Sequence, residues 1–520
     1  MLKKTIAFML ALSLVFSMAA CGSGKEPPEQ SGSIVSGSEV LIFSSSQEEK
    51  PSHPPESPEA VPETESSSSK ENENSSSSSS QQPASSSSEQ ESSSSSSQAP
   101  SSSSSQASSA ASRPVSSSES QEEKEEPEEE WEEEQEEPES QSRPSSPVDT
   151  GDEVRAMWIS YLELGTMLTG KSRSQFAANI REACETCADF GLNTIILQVR
   201  PYGDAIYPSD YFPGSYLFDG KEKGVGEVPF DALEVAVEEA HAAGLRLEAW
   251  INPYRVRTSS ARALSSDNPA AIWLDEGSDA VVKMGEVISY NPGSEEAQDL
   301  IVDGVREIVE NYQVDGIHFD DYFYPTTDTA FDSEMYSDYK FGGGTQSLAA
   351  WRRSNVTQLV EKVYNAVKSV DSSATFGISP QGNNSNNLNS QYVDVAEIIS
   401  LEIVDYVCPQ MYFGFKNSGC PYQSTIESFN KMAKGTSVKI YVGLATYKFG
   451  NVDTWAGSGK NEWVDSTDLL ARQVEAAREL SEYGGFVLYR YDSTFNYKSF
   501  YSSGVWDQVE TELDNLRDVL

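Results

Sequence analysis

The chain has 520 residues, with 82 acidic against 37 basic side chains and a formal charge of −45. No basic patch is evident, which excludes the usual cationic surface for nucleic acid. Three histidines, His53, His241 and His318, are too few and too scattered for a histidine metal cluster or a Ser-His-Asp triad, so neither a metal nor another cofactor is expected.

In chain order, Met1 to Ala20 carries Lys3 and Lys4, an apolar run from Ile6 to Phe16 and small residues before Cys21. That is the layout of a secretory signal peptide over residues 1–20, with an apolar run too short to span a bilayer permanently. Met18-Ala19-Ala20-Cys21-Gly22 resembles a bacterial lipobox, which implies cleavage before Cys21 and diacylation of its thiol. The expected location is therefore the outer face of the cell membrane, with the membrane as partner through Cys21. A plain secretory cleavage near Ala20, with Cys21 incidental, is the alternative.

Residues 21–150 are Ser, Glu, Gln and Pro, with about 28 acidic against about 6 basic residues, roughly half of the net charge. Such a segment buries too little apolar surface to offset the entropy of ordering, and the sequence predicts a disordered tether. About 129 flexible residues have an r.m.s. reach of roughly 60 Å, enough to carry a domain off a membrane into or through a wall.

Residues 151–520 alternate short apolar strands with amphipathic helices. Strands are predicted at Val154–Tyr161, Asn193–Pro201, Leu245–Tyr254, Val314–Tyr324, Ala374–Gln381, Ile403–Tyr412, Val438–Tyr447 and Gly485–Asp492. Helices are predicted at Gln175–Phe190, Phe230–Ala243, Glu295–Tyr312, Leu348–Val370 and Thr467–Tyr483. Eight βα repeats in about 370 residues predict an α/β fold, a (β/α)8 TIM-type barrel with enlarged loops. A doubly wound open sheet is the alternative, and the absence of a Gly-rich loop after the first strand argues against it.

Side chains on a strand alternate faces. In the fourth strand Ile317 and Phe319 share an apolar face, leaving Gly316, His318, Asp320 and Tyr322 on the other. By the same rule Glu248, Trp250, Asn252 and Tyr254 oppose Leu247, Ala249 and Ile251. Likewise Gln198 and Arg200 oppose Leu197 and Val199, and Cys408, Gln410 and Tyr412 oppose Val407, Pro409 and Met411. Polar and aromatic groups thus converge at strand carboxyl ends, where barrel enzymes work.

Carboxylates, amides, arginines and aromatic rings are the groups of a carbohydrate enzyme. Glycoside hydrolysis needs one acid to protonate the leaving oxygen and a second group to activate water or stabilise the oxocarbenium-like centre. Asp320 is the first candidate as acid or nucleophile, and Glu248 is the second carboxylate. Partnership of Glu248 with Arg200 or Arg246 is an equal alternative. Asp321, on the opposite parity, is the third candidate, or bonds backbone or Arg255 instead. Asp315 caps the start of its strand. Trp158, Trp250, Tyr254, Tyr322, Tyr324 and Tyr412 are candidate sugar-stacking rings, with core packing as the alternative. Cys184 and Cys187 lie on one helix and read as core residues, and Cys408 and Cys420 flank a loop where a disulfide can be drawn.

Six segments resemble the bacterial glycosyl-hydrolase-like family 10. They are R-A-M-W-I-S at Arg155 to Ser160, G-L-N-T-I-I-L-Q-V-R-P-Y-G-D-A at Gly191 to Ala205, Y-P-S-D-Y-F-P at Tyr207 to Pro213, E-A-W-I-N-P-Y-R at Glu248 to Arg255, D-G-I-H-F-D-D-Y-F-Y-P at Asp315 to Pro325 and P-Q-M-Y at Pro409 to Tyr412. The resemblance implies a barrel glycosidase of the cell envelope acting on wall glycan, an N-acetylated polysaccharide, and above all on peptidoglycan strands stripped of stem peptides. On these segments Arg200, Asn252, Tyr254, Arg255, His318, Tyr322, Gln410, Tyr412 and Trp158 are the expected substrate-binding residues. A looser similarity links Asp315, Gly316 and Asp320 to chitinase-type barrels, from which His318 and Tyr322 depart. A non-catalytic wall-glycan-binding lipoprotein and a transglycosylase are the alternatives to hydrolysis.

Overall fold

The computed structural model describes residues 153–520 apart from 222–223, 260–261 and 322. The expected signal peptide, Cys21, the tether over 21–150, and Tyr322 lie outside the described residues.

Eleven strands are present among the described residues. They are β1 (Val154–Ile159), β2 (Thr194–Arg200), β3 (Arg246–Ile251), β4 (Arg255–Arg257), β5 (Val281–Met284), β6 (Val287–Tyr290), β7 (Gly316–Phe319), β8 (Thr375–Ile378), β9 (Tyr406–Val407), β10 (Lys439–Ala445) and β11 (Tyr483–Tyr489). Eight of them close into a parallel barrel in the order β1-β2-β3-β7-β8-β9-β10-β11, and the seam pairs Val154 of β1 with Gly485 of β11. Closure decides for the (β/α)8 barrel and against an open doubly wound sheet.

All eight predicted barrel strands are found, each shorter than its apolar pattern. The helix Leu348–Val370 has the predicted bounds. Another starts two residues earlier than predicted, at Arg173, because Ser172 accepts from the Gln175 amide while the Gln175 side chain bonds back, and it stops at Gly191, whose φ of 105° suits glycine. Elements not foreseen include the antiparallel sheet β4-β6-β5 and the helices Tyr161–Met167, Pro269–Glu276, Ser333–Phe341, Tyr422–Ala433 and Trp506–Arg517. The small sheet is an insertion between β3 and the helix Glu295–Asn311.

Strand parity sorts the core into two layers. Ile195, Leu197, Val199, Leu247, Ala249, Ile251, Ile317, Phe319, Phe376 and Ile378 pack outward against the helices. Inside the barrel a separate cluster holds Val154, Ala156, Trp158, Ile196, Trp250, Tyr406, Cys408, Tyr441 and Val487. Large interior side chains fit because glycines face them. A Cβ on Gly377 would stand 2.2 Å from the Tyr406 ring, one on Gly443 2.8 Å from Trp158, and one on Gly316 2.3 Å from Thr375 Oγ1 and 3.1 Å from the Glu248 carboxyl carbon.

Among the described residues the four cysteines are free thiols. Cys184, Cys187 and Cys408 are buried, and no Cys408–Cys420 bridge forms.

Candidate active site

The centre of the barrel is a chain of buried polar groups. Trp158 Nε1 donates to His318 Nε2 at 3.2 Å, so the imidazole carries its proton on Nδ1 and donates it to Tyr406 Oη at 2.7 Å. Tyr406 in turn donates to Glu248 Oε2 at 2.5 Å, and Thr375 Oγ1 donates to Glu248 Oε1 at 2.9 Å. Burial holds His318 far below the usual imidazole range, at about 3, and the ring is neutral. Burial also pushes the Glu248 carboxyl up, opposed by Arg246, whose Nη2 is 3.8 Å away, and by the Tyr406 and Thr375 hydroxyls.

This arrangement gives Glu248 the pairing with Arg246 that stood as the equal alternative to a catalytic role. It stands in register with Gly316, four residues before Asp320, so the two side chains start about 13 Å apart along the barrel. Paired glycosidase carboxyls lie roughly 5–10 Å apart. Glu248 is 1 % exposed, and its ion-pair partner is Arg246, not Arg200. The structure does not bring it to the mouth.

Asp320 is at the mouth, just past the end of β7 and 4 % exposed. Asn252 Nδ2 donates to its Oδ2, Gln198 Nε2 donates to Asn252 Oδ1 at 2.6 Å, and the Tyr161 amide donates to Gln198 Oε1 at 2.9 Å. The amides are oriented in series, from the end of β1 through β2 and β3 to the carboxylate on β7. Only Asn252 of the two amide side chains was an expected site residue; the signals for Gln198 are its inward parity and its place in the segment Gly191 to Ala205.

Asp321 also turns to the mouth. Gln410 Nε2 donates to its Oδ1 at 3.1 Å and Gln391 Nε2 to its Oδ2 at 3.4 Å. Parity assigned it the outward face, but β7 ends at Phe319, and alternation does not govern a residue beyond the strand. The two neighbouring carboxylates therefore diverge, Asp320 toward β3 and Asp321 toward β8 and β9. Burial pushes the Asp321 carboxyl above its ordinary range, with the amides of Gln410, Gln391 and Gln381 opposing.

Rings line the β9–β11 side. Tyr412 stacks on Tyr489 with centroids 5.6 Å apart, Tyr447 meets both edge to face, and Tyr489 touches Trp158 edge-on at 5.9 Å. Tyr412, Tyr447 and Tyr489 are partly exposed, whereas Trp158, Trp250, Tyr254 and Tyr324 are buried and offer no face to a sugar. Glu163 ties the ends of β1 and β11 together: it accepts from Arg490 Nη1, the Ser160 amide and hydroxyl, and the Asp492 amide. Fully buried and paired with the Arg490 guanidinium, it serves structure.

Besides the buried Trp158, three expected binding residues, Arg200, Tyr254 and His318, sit away from the mouth. The register of β2 against β3 shifts between Gln198 and Arg200, turning Arg200 outward, where its guanidinium lies 4.0 Å over the Phe212 ring and against Gly304 of the outer helix. Tyr254 is 1 % exposed and belongs to the outer core. His318 is interior and cannot touch a ligand at the mouth. Arg255 is partly exposed, donating from Nε to the Pro201 carbonyl at 2.8 Å. Asp315, just before β7, ties that strand's start to β3 and the adjacent helix, accepting from the Leu247 amide at 2.8 Å and bonding His241 at 2.9 Å. No group of three or more His, Cys, Asp or Glu among the described residues is placed to hold a metal ion.

The chain is 33% identical over 350 residues to the glycosyl hydrolase DigH of Escherichia coli, covering 62% of this chain and 77% of that protein. It is 31% identical over 350 residues to the glycosyl hydrolase YngK of Bacillus subtilis, covering 63% and 67%. The PgaB glycoside hydrolase domain from Bordetella bronchiseptica superposes with a TM-score of 0.48 at 15% identity over 71% of this chain and 98% of that domain, a likeness too slight to bear on activity. Residues 153–463 match the family described as glycosyl hydrolase-like 10, and because that match spans more than half of the chain, the protein belongs to this family and is a glycoside hydrolase.

Proposed function

We propose that the protein is an exported, lipid-anchored hydrolase of cell-wall glycan, acting on peptidoglycan strands stripped of their stem peptides. One observation carries the chemistry: consecutive carboxylates at the end of β7 are drawn to opposite sides of the mouth by amide side chains from different strands. Asp321, its carboxyl raised by burial, is suited to keep a proton and deliver it to the leaving glycosidic oxygen. Asp320, held by the oriented Asn252–Gln198 series, supplies the negative charge opposite the developing oxocarbenium centre, by direct attack or through a water. The partly exposed rings of Tyr412, Tyr447 and Tyr489 offer faces for sugar stacking. The motifs shared with envelope glycosidases support wall glycan as the substrate, and the lipobox at Cys21 with its long Ser/Glu tether supports placement on the outer membrane face with reach into the wall.

The test is mass spectrometry of products from the purified chain and peptide-free glycan strands. Asp320→Asn should abolish product while glycan binding survives, because Asn keeps the shape and removes the charge. Near-normal turnover by Asp320→Asn would overturn its role. A parent that binds these strands without cleaving them would overturn the substrate.

A further inference from the structure

On the β1–β3 side of the mouth the loops pile tyrosine rings against guanidinium groups. Tyr161 and Tyr202 meet edge to face with centroids 5.7 Å apart, and Tyr202 and Tyr216 do so at 6.0 Å. Arg262 lies 3.7 Å over Tyr216 and 4.4 Å from Tyr202, while Arg255 approaches Tyr202 to 4.8 Å from its other partner, Tyr161, at 5.9 Å. Arg257, two residues on in β4, donates from Nη1 to the Arg262 carbonyl at 3.0 Å, fixing the loop that presents Arg262. The Tyr161 amide starts the hydrogen-bonded series that ends on Asp320, so this corner adjoins the reacting centre.

A recess of about 20 Å³ opens here, lined by Tyr202, Asp204, Tyr216, Arg257 and Arg262 among others. It has room for a water or one end of a carboxylate, not a sugar ring. A guanidinium stacked on a ring uses its face and leaves its edge N–H groups to bind. Nη1 of Arg262 is buried and, among the described residues, has no hydrogen-bond partner. Asp204 shares the recess, accepting from the Tyr216 amide at 3.3 Å, and burial pushes its carboxyl up to about 6. Among the described residues lining or bordering the recess, three guanidinium groups stand with one carboxylate within a strongly acidic chain.

We propose that this corner is a subsite for a carboxylate-bearing sugar, with Arg262 pairing with the carboxylate and the Tyr202 and Tyr216 rings holding the guanidinium in place. The inference rests on the wall-glycan reading above. Removing a stem peptide from the 3-O-lactyl ether of a wall sugar leaves a free carboxylate where an amide stood, and a neutral N-acetylglucosamine polymer has no such group. A single ion pair then distinguishes stripped strands from peptide-bearing ones.

The test is calorimetric binding to the full chain carrying Asp320→Asn, so that ligand survives. Three tetrasaccharides are compared: peptide-free wall glycan, the same with its lactyl carboxylates converted to amides, and the N-acetylglucosamine tetramer. The free acid should bind about tenfold or more tighter than either neutral ligand, the range of a charged hydrogen bond. Adding Arg262→Gln should erase that preference with the neutral ligands unchanged, and Arg262→Lys should keep part of it. Equal binding of acid and amide before Arg262 is altered, or a preference that survives Arg262→Gln, overturns the subsite. Cleavage separates the two proposals. A chain that prefers the acid yet cuts no wall glycan keeps the subsite and loses the substrate, whereas one that cuts acid and amide strands equally, with no preference in binding, does the reverse.

Discussion

Tyr406→Phe tests whether the buried chain beneath the mouth is scaffold or chemistry. Tyr406 is 0 % exposed, its ring stacked on Tyr441 at 4.2 Å and seated in the space left by Gly377, so phenylalanine keeps the packing and deletes one hydroxyl. That hydroxyl accepts from His318 and donates to Glu248. Its loss leaves a buried imidazole N–H without an acceptor, about 1–3 kcal/mol, and takes a charge-assisted bond from Glu248, about 1.5–3 kcal/mol. A loss of roughly 3–5 kcal/mol is a large share of a stability of about 5–15 kcal/mol. Urea unfolding at pH 7 reads it directly. The pH dependence adds a second reading. Glu248 has a carboxyl raised by burial and lowered in part by the Tyr406 hydroxyl, so the variant raises it further. A carboxyl raised on folding favours the fold below its unfolded value, and the benefit is lost as pH rises through the folded one. The deficit of Tyr406→Phe should therefore grow as pH rises through the folded value of Glu248 and shrink on the acid side of it. His318, held neutral at about 3, adds an acid-side loss below about pH 6.5 to the parent and the variant alike, to first order. With Glu248 four residues below Asp320, turnover per folded molecule should change only a few-fold. A loss under about 1 kcal/mol, or collapsed turnover at intact stability, would refute the reasoning and return Glu248 to the chemistry.

Three further outcomes are expected. If Asp321 is the acid, activity falls as pH rises through its raised value; Asp321→Asn should remove that alkaline limb and lower kcat by about 10²–10⁴, least for aryl glycosides with good leaving groups, and a limb that persists in the variant counts against the role. Gly377→Ala should fail to reach the parent's melting temperature and show mobile interior aromatics by NMR, because its Cβ would stand 2.2 Å from the Tyr406 ring; a parent-like melt would show that the ring can move aside. Cys21→Ser should shift the protein from the membrane fraction to the medium, since no described helix is long and apolar enough to cross a membrane, and unchanged membrane association would sink the lipid anchor.

Where a strand continues, its sequence is enough to say which way a side chain points. Gln198, Glu248, Trp250, His318 and Cys408 all face the interior that alternation assigns them, and the closed barrel follows from eight such strands with helices between. Parity lost its hold where the ladder stopped or slipped. Arg200 lies past a register shift, Tyr254 three residues past the end of β3, and Asp321 two past the end of β7. The insertion carrying β4 to β6 was missed because strands of three and four residues hold too few alternations to stand out from a loop.

The same break explains how one short segment can serve two sides of a cleft. In a continuous strand Asp320 and Asp321 would face opposite layers, one in the barrel and one against a helix. Because β7 stops at Phe319, the backbone is free to turn, and side-chain amides take over the positioning that the ladder no longer supplies: Asn252 on one carboxylate, Gln410 and Gln391 on the other. Amides suit that task. Each offers a donor to a carboxylate and an acceptor to the next group without adding charge, as in the series from the Tyr161 amide through Gln198 and Asn252 to Asp320. Lysine or arginine at those positions would hold the carboxylates as firmly and also hold down the proton affinity that an acid catalyst needs. The buried tier beneath, from Trp158 to Glu248, then has a different task, to give the floor of the mouth a fixed height on which these side chains can be aimed.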